Sequence, residues 1–349
     1  MNFTFSDEQT MMAGVARQLL SDTCDPAALH SQMASGAARV PARWSAISQM
    51  GLTGVLAPEA AGGLALGEQD FILIAEAAGW VALPEPLVEH AGVAVPLLAE
   101  AAPDHALLGP AASGEIFLAI GHPLNPFVLD ADLAGGILLP HEGEVHLVSP
   151  ATANLVQEAS IDPFRRLFRV DWTPTTQTRL ADTAAGRVLW DRALDRGALF
   201  AAAQCLGLAQ RSVDLAVAYA KERQQFGKPI GSYQAVKHLL ASAQVAIEFA
   251  RPVTYAAAAD LYRGSSQSSA RVSHAKIVAC EAADLAARTA IQVHGAMGYS
   301  WEVDVHLFLK RALALTHAWG GPAAHRARVS ARVFGHPVGA DHTFSHEAA

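Results

Sequence analysis

The stretch Glu222-Arg223-Gln224-Gln225-Phe226-Gly227-Lys228-Pro229-Ile230-Gly231-Ser232-Tyr233-Gln234 places two cations, three turn formers and a hydroxyl side by side. An Ala-rich periodic segment runs into it, Gly227, Pro229 and Gly231 break the period, and a second helical pattern starts near Ser232. The spacing predicts a helix–turn–helix corner. Arg223 falls in the last turn of the first helix, Lys228 in the turn, and Ser232 at an N-cap whose backbone N–H groups favour an anion. A phosphate-bearing ligand fits such a corner. So does a plain structural role, in which both cations complement a helix C-terminus and solvate the turn.

The elements that must hold this corner follow from periodicity. Residues 193–221 put Leu199, Ala203, Leu206, Val213, Val217 and Ala220 on one helical face. Helical patterns continue over 233–262, 274–293, 303–318 and 323–333, which predicts an antiparallel bundle of four-helix type over residues 186–335. Residues 1–112 read as a helical layer that opens with Ser6 as N-cap and continues over 42–50, 69–79 and 91–100. Between them, residues 113–185 carry short β-type runs at 115–120, 136–139, 145–148, 155–158 and 167–172, separated by Gly, Pro and Asn/Asp clusters. The fold class expected is mainly α with a small middle antiparallel β domain, and residues 336–349 form a tail without periodicity.

Composition narrows the chemistry. A formal net charge of −8 and a pI near 6 give no general affinity for nucleic acid, so any cationic function is local. Cys24, Cys205 and Cys280 are too far apart in sequence for a disulfide framework or a metal cluster, and Cys205 and Cys280 read as small core residues. The bundle histidines lack the Glu-x-x-His pattern of di-metal bundles, so no metal is expected. The first residues are acidic, and apolar runs fall short of the roughly 20 residues that span a bilayer. A soluble, cytoplasmic protein is the expectation.

Helices, a small β domain, then a bundle opening with Arg-x-Gln-Phe-Gly-x-Pro-Ile-x-x-Tyr-Gln resembles the acyl-CoA dehydrogenase family. Gln292-Val293-His294-Gly295-Ala296-Met297-Gly298-Tyr299 is similar to that family's Gln-x-x-Gly-Gly-x-Gly-aromatic stretch, and the turn Pro58-Glu59-x-x-Gly62-Gly63 agrees. The resemblance implies an FAD lying across a subunit interface. Arg223 would meet the pyrophosphate of a neighbour's flavin with Gln225, Phe226, Tyr233 and Gln234 nearby, and Gln292, Gly295, Ala296 and Gly298 would approach the adenosine end. Glycines there allow close approach of a ligand to backbone, or else mark a plain helix–helix turn; Ala296 departs from the second glycine of the pattern.

The family removes an α proton from an acyl-CoA thioester with a glutamate base and passes the β hydrogen to flavin as hydride. Most members place that glutamate on a Glu-Gly-Thr segment, where this chain reads Leu315-Thr316-His317-Ala318-Trp319-Gly320-Gly321-Pro322, without an acid. Others place it late in the helix after the Arg corner, which matches Arg263 here; Asp260, one turn earlier, is the substitute, or else a solvated aspartate at a helix end. The family's Thr-Glu-Pro…Gly-Ser-Asp segment is replaced by Gly121-His122-Pro123-Leu124-Asn125-Pro126. Retained cofactor-tail motifs and a missing base resemble the short subunits of heteromeric bacterial acyl-CoA dehydrogenases. Three readings follow: a base-lacking subunit of a heterotetramer, a homo-oligomer acting on its own acyl-CoA, or a non-catalytic subunit that completes a partner's FAD site.

Overall fold

The structure is a computed structural model that describes residues 4–264 and 267–335; the expected tail lies outside the described residues. The N-terminal helices are α1 (Asp7–Thr23), α2 (Pro26–Ser35), α3 (Pro41–Gln49), α4 (Glu68–Trp80), α5 (Leu87–Glu89), α6 (Val95–Ala101) and α7 (Leu108–Ala112). The N-terminus of α1 is closed by a capping box: Gln9 N–H donates to Ser6 Oγ at 3.1 Å, and Ser6 N–H donates to the Gln9 side chain at 2.9 Å. A single π-helical stretch, His90–Ala94, joins α5 to α6.

The middle strands are β1 (Leu118–Ile120), β2 (Val128–Leu129), β3 (Gly136–His141), β4 (Glu144–Val148), β5 (Asn154–Glu158), β6 (Leu167–Asp171) and β7 (Arg179–Ala181). They form a four-stranded sheet, β1-β3-β4-β7, and a three-stranded sheet, β2-β6-β5. Ala119, Val128, Ile137, Leu139, Val148 and Phe168 are buried together as the core of this layer. The expected all-antiparallel pairing is corrected at one edge, where β1 runs parallel to β3, Leu118 opposite Gly136. After β1 the chain crosses to the second sheet as β2 before returning as β3, and that crossover restores its direction.

The bundle comprises α8 (Thr183–Glu222), α9 (Gln234–Arg263), α10 (Ser268–His294), α11 (Val305–His317) and α12 (Pro322–Gly335). At 40 residues, α8 is about 60 Å long and runs through the centre of the molecule. It crosses α4 at very short range: a Cβ on Gly79 would lie 2.0 Å from the Gln204 carbonyl oxygen, and one on Gly207 2.0 Å from that of Glu76. Only glycines at this crossing let the N-terminal layer and the bundle share one core.

His90 fixes the seam between helices and sheet. Fully buried, its Nε2–H donates to the Ala111 carbonyl at 3.0 Å while Nδ1 accepts the Leu118 N–H at 2.9 Å, at the start of β1. That pattern requires the neutral imidazole, and burial pushes its pKa down to about 4. Between pH 6.5 and pH 4 the unfolded chain takes up a proton that the folded chain refuses, so stability is full above pH 6.5 and falls on acidification. Urea midpoints are expected to drop by the equivalent of roughly 2 kcal/mol between pH 6.5 and pH 5 from this residue. His122 and His325, also held down to about 4 chiefly by burial, steepen the fall. A His90→Gln variant should show a shallower slope; an unchanged slope would remove His90 as its source.

Candidate cofactor corner and the closed base segment

The corner that links α8 to α9 is a β-hairpin, a correction to the simple turn expected. Arg223 ends α8 with its N–H on the Tyr219 carbonyl, and its own carbonyl accepts the Ile230 N–H at 2.8 Å. Strands β8 (Gln224–Gln225) and β9 (Lys228–Pro229) then pair around Phe226-Gly227, both with positive φ (51° and 79°). Two left-handed residues in a two-residue loop are the type I′ geometry that matches strand twist, and Gly227 supplies one of them without steric cost. The Tyr233 hydroxyl donates to the Gln225 carbonyl at 3.1 Å and its ring carries Lys228 Nζ at 4.4 Å, stitching the hairpin onto α9.

Ser232 is not the N-cap of α9. Ile230–Ser232 turn as a 3-10 segment, and the Ser232 hydroxyl donates to the Pro229 carbonyl at 2.7 Å. Tyr233 takes the cap position, with no side-chain cap bond. The first N–H groups of α9 therefore keep their positive end open. Arg223, Gln225, Phe226 and Gln234 are exposed, Phe226 at 93%, and Tyr233 is half-buried. Arg223 makes no ion pair with a carboxylate among the described residues.

The Gly-rich stretch lies at the same end of the bundle. Ala216 and Ala220 of α8, Ile230 at the hairpin base, Val236 and Leu240 of α9, and Ile291 and Val293 of α10 pack into one small apolar cluster. His294, its Nδ1–H donating to the Ala290 carbonyl at 2.8 Å, stacks on Tyr219 with ring centroids 4.2 Å apart. Gln292, Gly295 and Ala296 are exposed, and a Cβ on Gly295 (φ +59°) would meet nothing within 4 Å. Gly298 differs: it is buried, and a Cβ there would sit 2.7 Å from the Ile291 carbonyl oxygen, so its smallness serves packing. Two motifs far apart in sequence thus share one exposed face.

The segment 315–322 is closed. Trp319 is 2% exposed in a left-handed conformation, and its indole lies where a Cβ on Gly197 of α8 would stand, 2.1 Å away. His122 fits between Trp319 and Trp190, with centroid separations of 6.1 and 5.8 Å. The His325 Nε2–H donates to the Trp319 carbonyl at 2.9 Å and its Nδ1 faces Ser273 Oγ at 3.1 Å, which anchors the plug from α12 and α10. His317 is exposed, and Trp301 is 63% exposed with Lys310 Nζ 3.9 Å over its ring. On the β side, residues 121–126 close into a tight turn in which His122 and Asn125 exchange backbone bonds of 3.2 and 2.7 Å.

Asp260 is not a solvated aspartate at a helix end. It is 4% exposed and its Oδ1 accepts from the Arg271 guanidinium at 2.9 Å, across to α10. Arg263, the matched position, is exposed. A cavity of about 610 Å³ opens between α4, α6, α8, the end of α9 and the start of α10; three of its acids are committed to arginines, and Asp191, exposed, has no bonded partner among the described residues. Glu68 and Glu100 both bind Arg196, at 2.9 and 2.7 Å, and Asp195 binds Arg328 at 2.6 Å. A carboxylate whose oxygen is held by a guanidinium is not free to reach a substrate proton without breaking that bond. Among the described residues no group of three or more metal-ligating side chains stands together, and no helix is long and apolar enough to cross a membrane.

A helical layer, a small two-sheet domain and a long-helix bundle, with an arginine hairpin and a Gly-rich turn at one end, define a three-layer, mainly α architecture. Residues 6–115 match the acyl-CoA dehydrogenase N-terminal domain and residues 185–334 the acyl-CoA dehydrogenase C-terminal domain. The chain is 31% identical over 337 residues to the acyl-CoA dehydrogenase IpdE2 of Mycobacterium tuberculosis, covering 95% of this chain and 99% of that one. It is 34% identical over 309 residues to FadE34 of the same organism, covering 82% of this chain and 41% of FadE34. Among solved structures it superposes on the ChsE4-ChsE5 complex of Mycobacterium tuberculosis (TM-score 0.85, 22% identity, 97% of this chain and 100% of that). Butyryl-CoA dehydrogenase of Megasphaera elsdenii gives the same TM-score, 0.85, at 20% identity over 96% of this chain and 100% of its own. The chain belongs to the acyl-CoA dehydrogenase family of FAD-dependent oxidoreductases.

Proposed function

We propose that this chain is the base-lacking subunit of a heteromeric acyl-CoA dehydrogenase, and that it lends its corner to an FAD held mainly by a second, longer subunit of the same family. The observation that carries this reading is the contrast between its two sides. The base segment holds no acid and is packed by Trp319, Trp190 and His122, whereas Arg223, Gln225, Gln234, Gln292 and Gly295 stand exposed and Arg223 makes no ion pair among the described residues.

The residues at the corner fit the cofactor's tail. Arg223 offers an uncompensated guanidinium, the open N-terminus of α9 adds a positive end, and both face the kind of charge a pyrophosphate carries. Gln225 and Gln234 bring amides that pair with phosphate or flavin edges, and Phe226 brings an apolar ring. Gln292, Gly295 and Ala296 leave room on the other side for the adenosine end, with Gly298 holding the turn in place. When bound, FAD accepts hydride from the β carbon of the acyl-CoA. The proton at the α carbon falls to a carboxylate of the partner subunit: Asp260, Glu68, Glu100 and Asp195 are held by arginines, and Asp191 is exposed to water.

The partner also has a surface to cover. Leu239, Val245 and Phe249 on α9 are 44%, 53% and 75% exposed, Leu285 on α10 is 42% exposed, and Phe226 stands beyond them. These exposed apolar side chains on α9 and α10 are what a partner subunit would cover.

Expression of the chain alone, followed by co-expression with a longer acyl-CoA dehydrogenase subunit that keeps its glutamate, tests the reading. The lone chain is expected to purify colourless, and the pair as a yellow complex bleached by its acyl-CoA. A yellow homodimer of the lone chain that bleaches with acyl-CoA would sink it. A complex in which the partner is equally active without this chain would reduce the chain to a structural role.

A further inference from the structure

Away from the corner, α8, α10 and the end of α11 enclose a cluster that neither the fold nor the cofactor explains. Lys276 is 1% exposed, and among the described residues it has no carboxylate partner. Its Nζ donates instead to the Leu315 carbonyl and lies 3.2 Å from Cys280 Sγ, one turn along the same helix. Cys280 Sγ is in turn 3.6 Å from Cys205 Sγ on α8. A buried ammonium without a counter-anion is costly, and a thiolate beside it is the group that relieves that cost. Cys205 and Cys280 are buried core residues, 0% and 5% exposed, as expected, and the neighbouring ammonium sets them apart from Cys24.

We propose that Lys276, Cys280 and Cys205 form an oxidisable dithiol site, in which Cys280 reacts as a thiolate with hydrogen peroxide and Cys205 captures the product as a disulfide joining α8 to α10. In the first step the Cys280 sulfur attacks one peroxide oxygen. An S–O bond forms, the O–O bond breaks, and the leaving oxygen takes a proton from the Lys276 ammonium and departs as water. The sulfur has lost two electrons and the peroxide has gained them. In the second step the Cys205 sulfur attacks the Cys280 sulfenic acid. An S–S bond forms, the S–O bond breaks, and the oxygen leaves as water with the Cys205 proton.

The surroundings support the direction of the first step. The Cys205 thiol donating to Cys280 and the Lys276 ammonium beside it outweigh burial and draw the Cys280 thiol down to about 6, while Cys205 is pushed up. The other groups facing the cluster are the Thr316 hydroxyl, Arg165 and His325; none is an acid that would compete for Lys276. Cys24 gives an internal control, a buried thiol pushed up to about 12 by burial and lacking a second thiol. The disulfide would tie together the two helices that end at Arg223 and at Gly295.

The test treats the folded chain with hydrogen peroxide at pH 7 and maps its peptides without reduction. The expected result is a link between the Cys205 and Cys280 peptides, reversed by dithiothreitol, with Cys24 unmodified. A Cys205→Ser variant should stop at a Cys280 sulfenic acid that dimedone traps. Lys276→Met should slow Cys280 oxidation by about tenfold or more, as the thiolate fraction falls. Should that variant fail to fold, the Cys205→Ser trap alone decides. The proposal is overturned if Cys280 oxidises no faster than Cys24, if the link appears only in denatured protein, or if Cys205→Ser yields no dimedone adduct.

Discussion

Replacing Arg223 with alanine is expected to weaken FAD retention in the assembled enzyme by about 10- to 100-fold while leaving the fold of the chain unchanged. A charge-assisted hydrogen bond is worth about 1.5–3 kcal/mol, and each 1.4 kcal/mol is a factor of ten in binding. The side chain is exposed and makes no ion pair with a carboxylate among the described residues, so its loss removes nothing from the core; its backbone bonds to Tyr219 and Ile230 remain. Flavin-to-protein ratio after gel filtration reads the effect, with sedimentation velocity to show that the complex still forms and thermal unfolding to show the chain unchanged. Arg223→Lys should recover part of the loss, since it restores charge without the planar fork. Unchanged flavin content in the alanine variant would remove the pyrophosphate role and leave Arg223 as a helix-end cation.

The largest stability effect is expected at Arg311. Its guanidinium is 3% exposed and binds Asp162, from the loop between β5 and β6, and the Leu83 carbonyl at 2.8 Å, from the N-terminal layer. One side chain of α11 thus fastens all three layers together. Arg311→Met keeps the apolar length but leaves Asp162, 1% exposed, as a buried carboxylate without its cation. Breaking one half of a buried pair costs about 3–5 kcal/mol, a large share of the stability of a typical domain. Denaturant titration should show that loss. A double variant with Asp162→Leu should recover much of it, since removal of both charges is far cheaper than removal of one. A single variant as stable as the parent would mean that water reaches Asp162.

How far the sequence revealed this molecule depends on the scale of the signal. Apolar residues at helical spacing place α9, α11 and α12 within two residues at each end, because periodicity over ten or more residues survives local irregularity, whereas α10 starts six residues before the expected 274; the β-type runs overlap β1 and β3 to β6, and the short β2 and β7 carry no such run. Pro252 does not break α9, since flanking turns packed in the bundle hold it. The start of α8 is missed by ten residues: its first turn, after the Asp182 cap, is Thr183-Ala184-Ala185-Gly186, and the buried stripe begins at Leu189 and Trp190, which a reading from 193 passes over. The parallel β1–β3 pair is invisible to any local pattern, because it depends on where β2 lies in space.

At the candidate site, residue identity was legible and conformation was not. The Arg-Gln-Phe-Gly order marks a corner, but the hairpin depends on Phe226 adopting a left-handed conformation, which few non-glycine residues do. The absence of an acid over 315–322 can be read directly; that Trp319 fills the space needs Gly197, His122 and Trp190, which are distant in sequence. Lys276 gave one overlooked signal, a lysine four positions before a cysteine in an otherwise apolar helical stripe.

If the proposed partner subunit covers the hairpin tip, that tip carries a cost for a chain that has not yet assembled. Burying a phenyl ring gains about 1.5–3 kcal/mol, and Phe226 forgoes nearly all of that while it stands in water. A newly made copy therefore displays a sticky, rigidly presented aromatic of the kind that chaperones and proteases act on. Any excess of this chain over its partner would be short-lived, and the abundance of one subunit would set the abundance of the other.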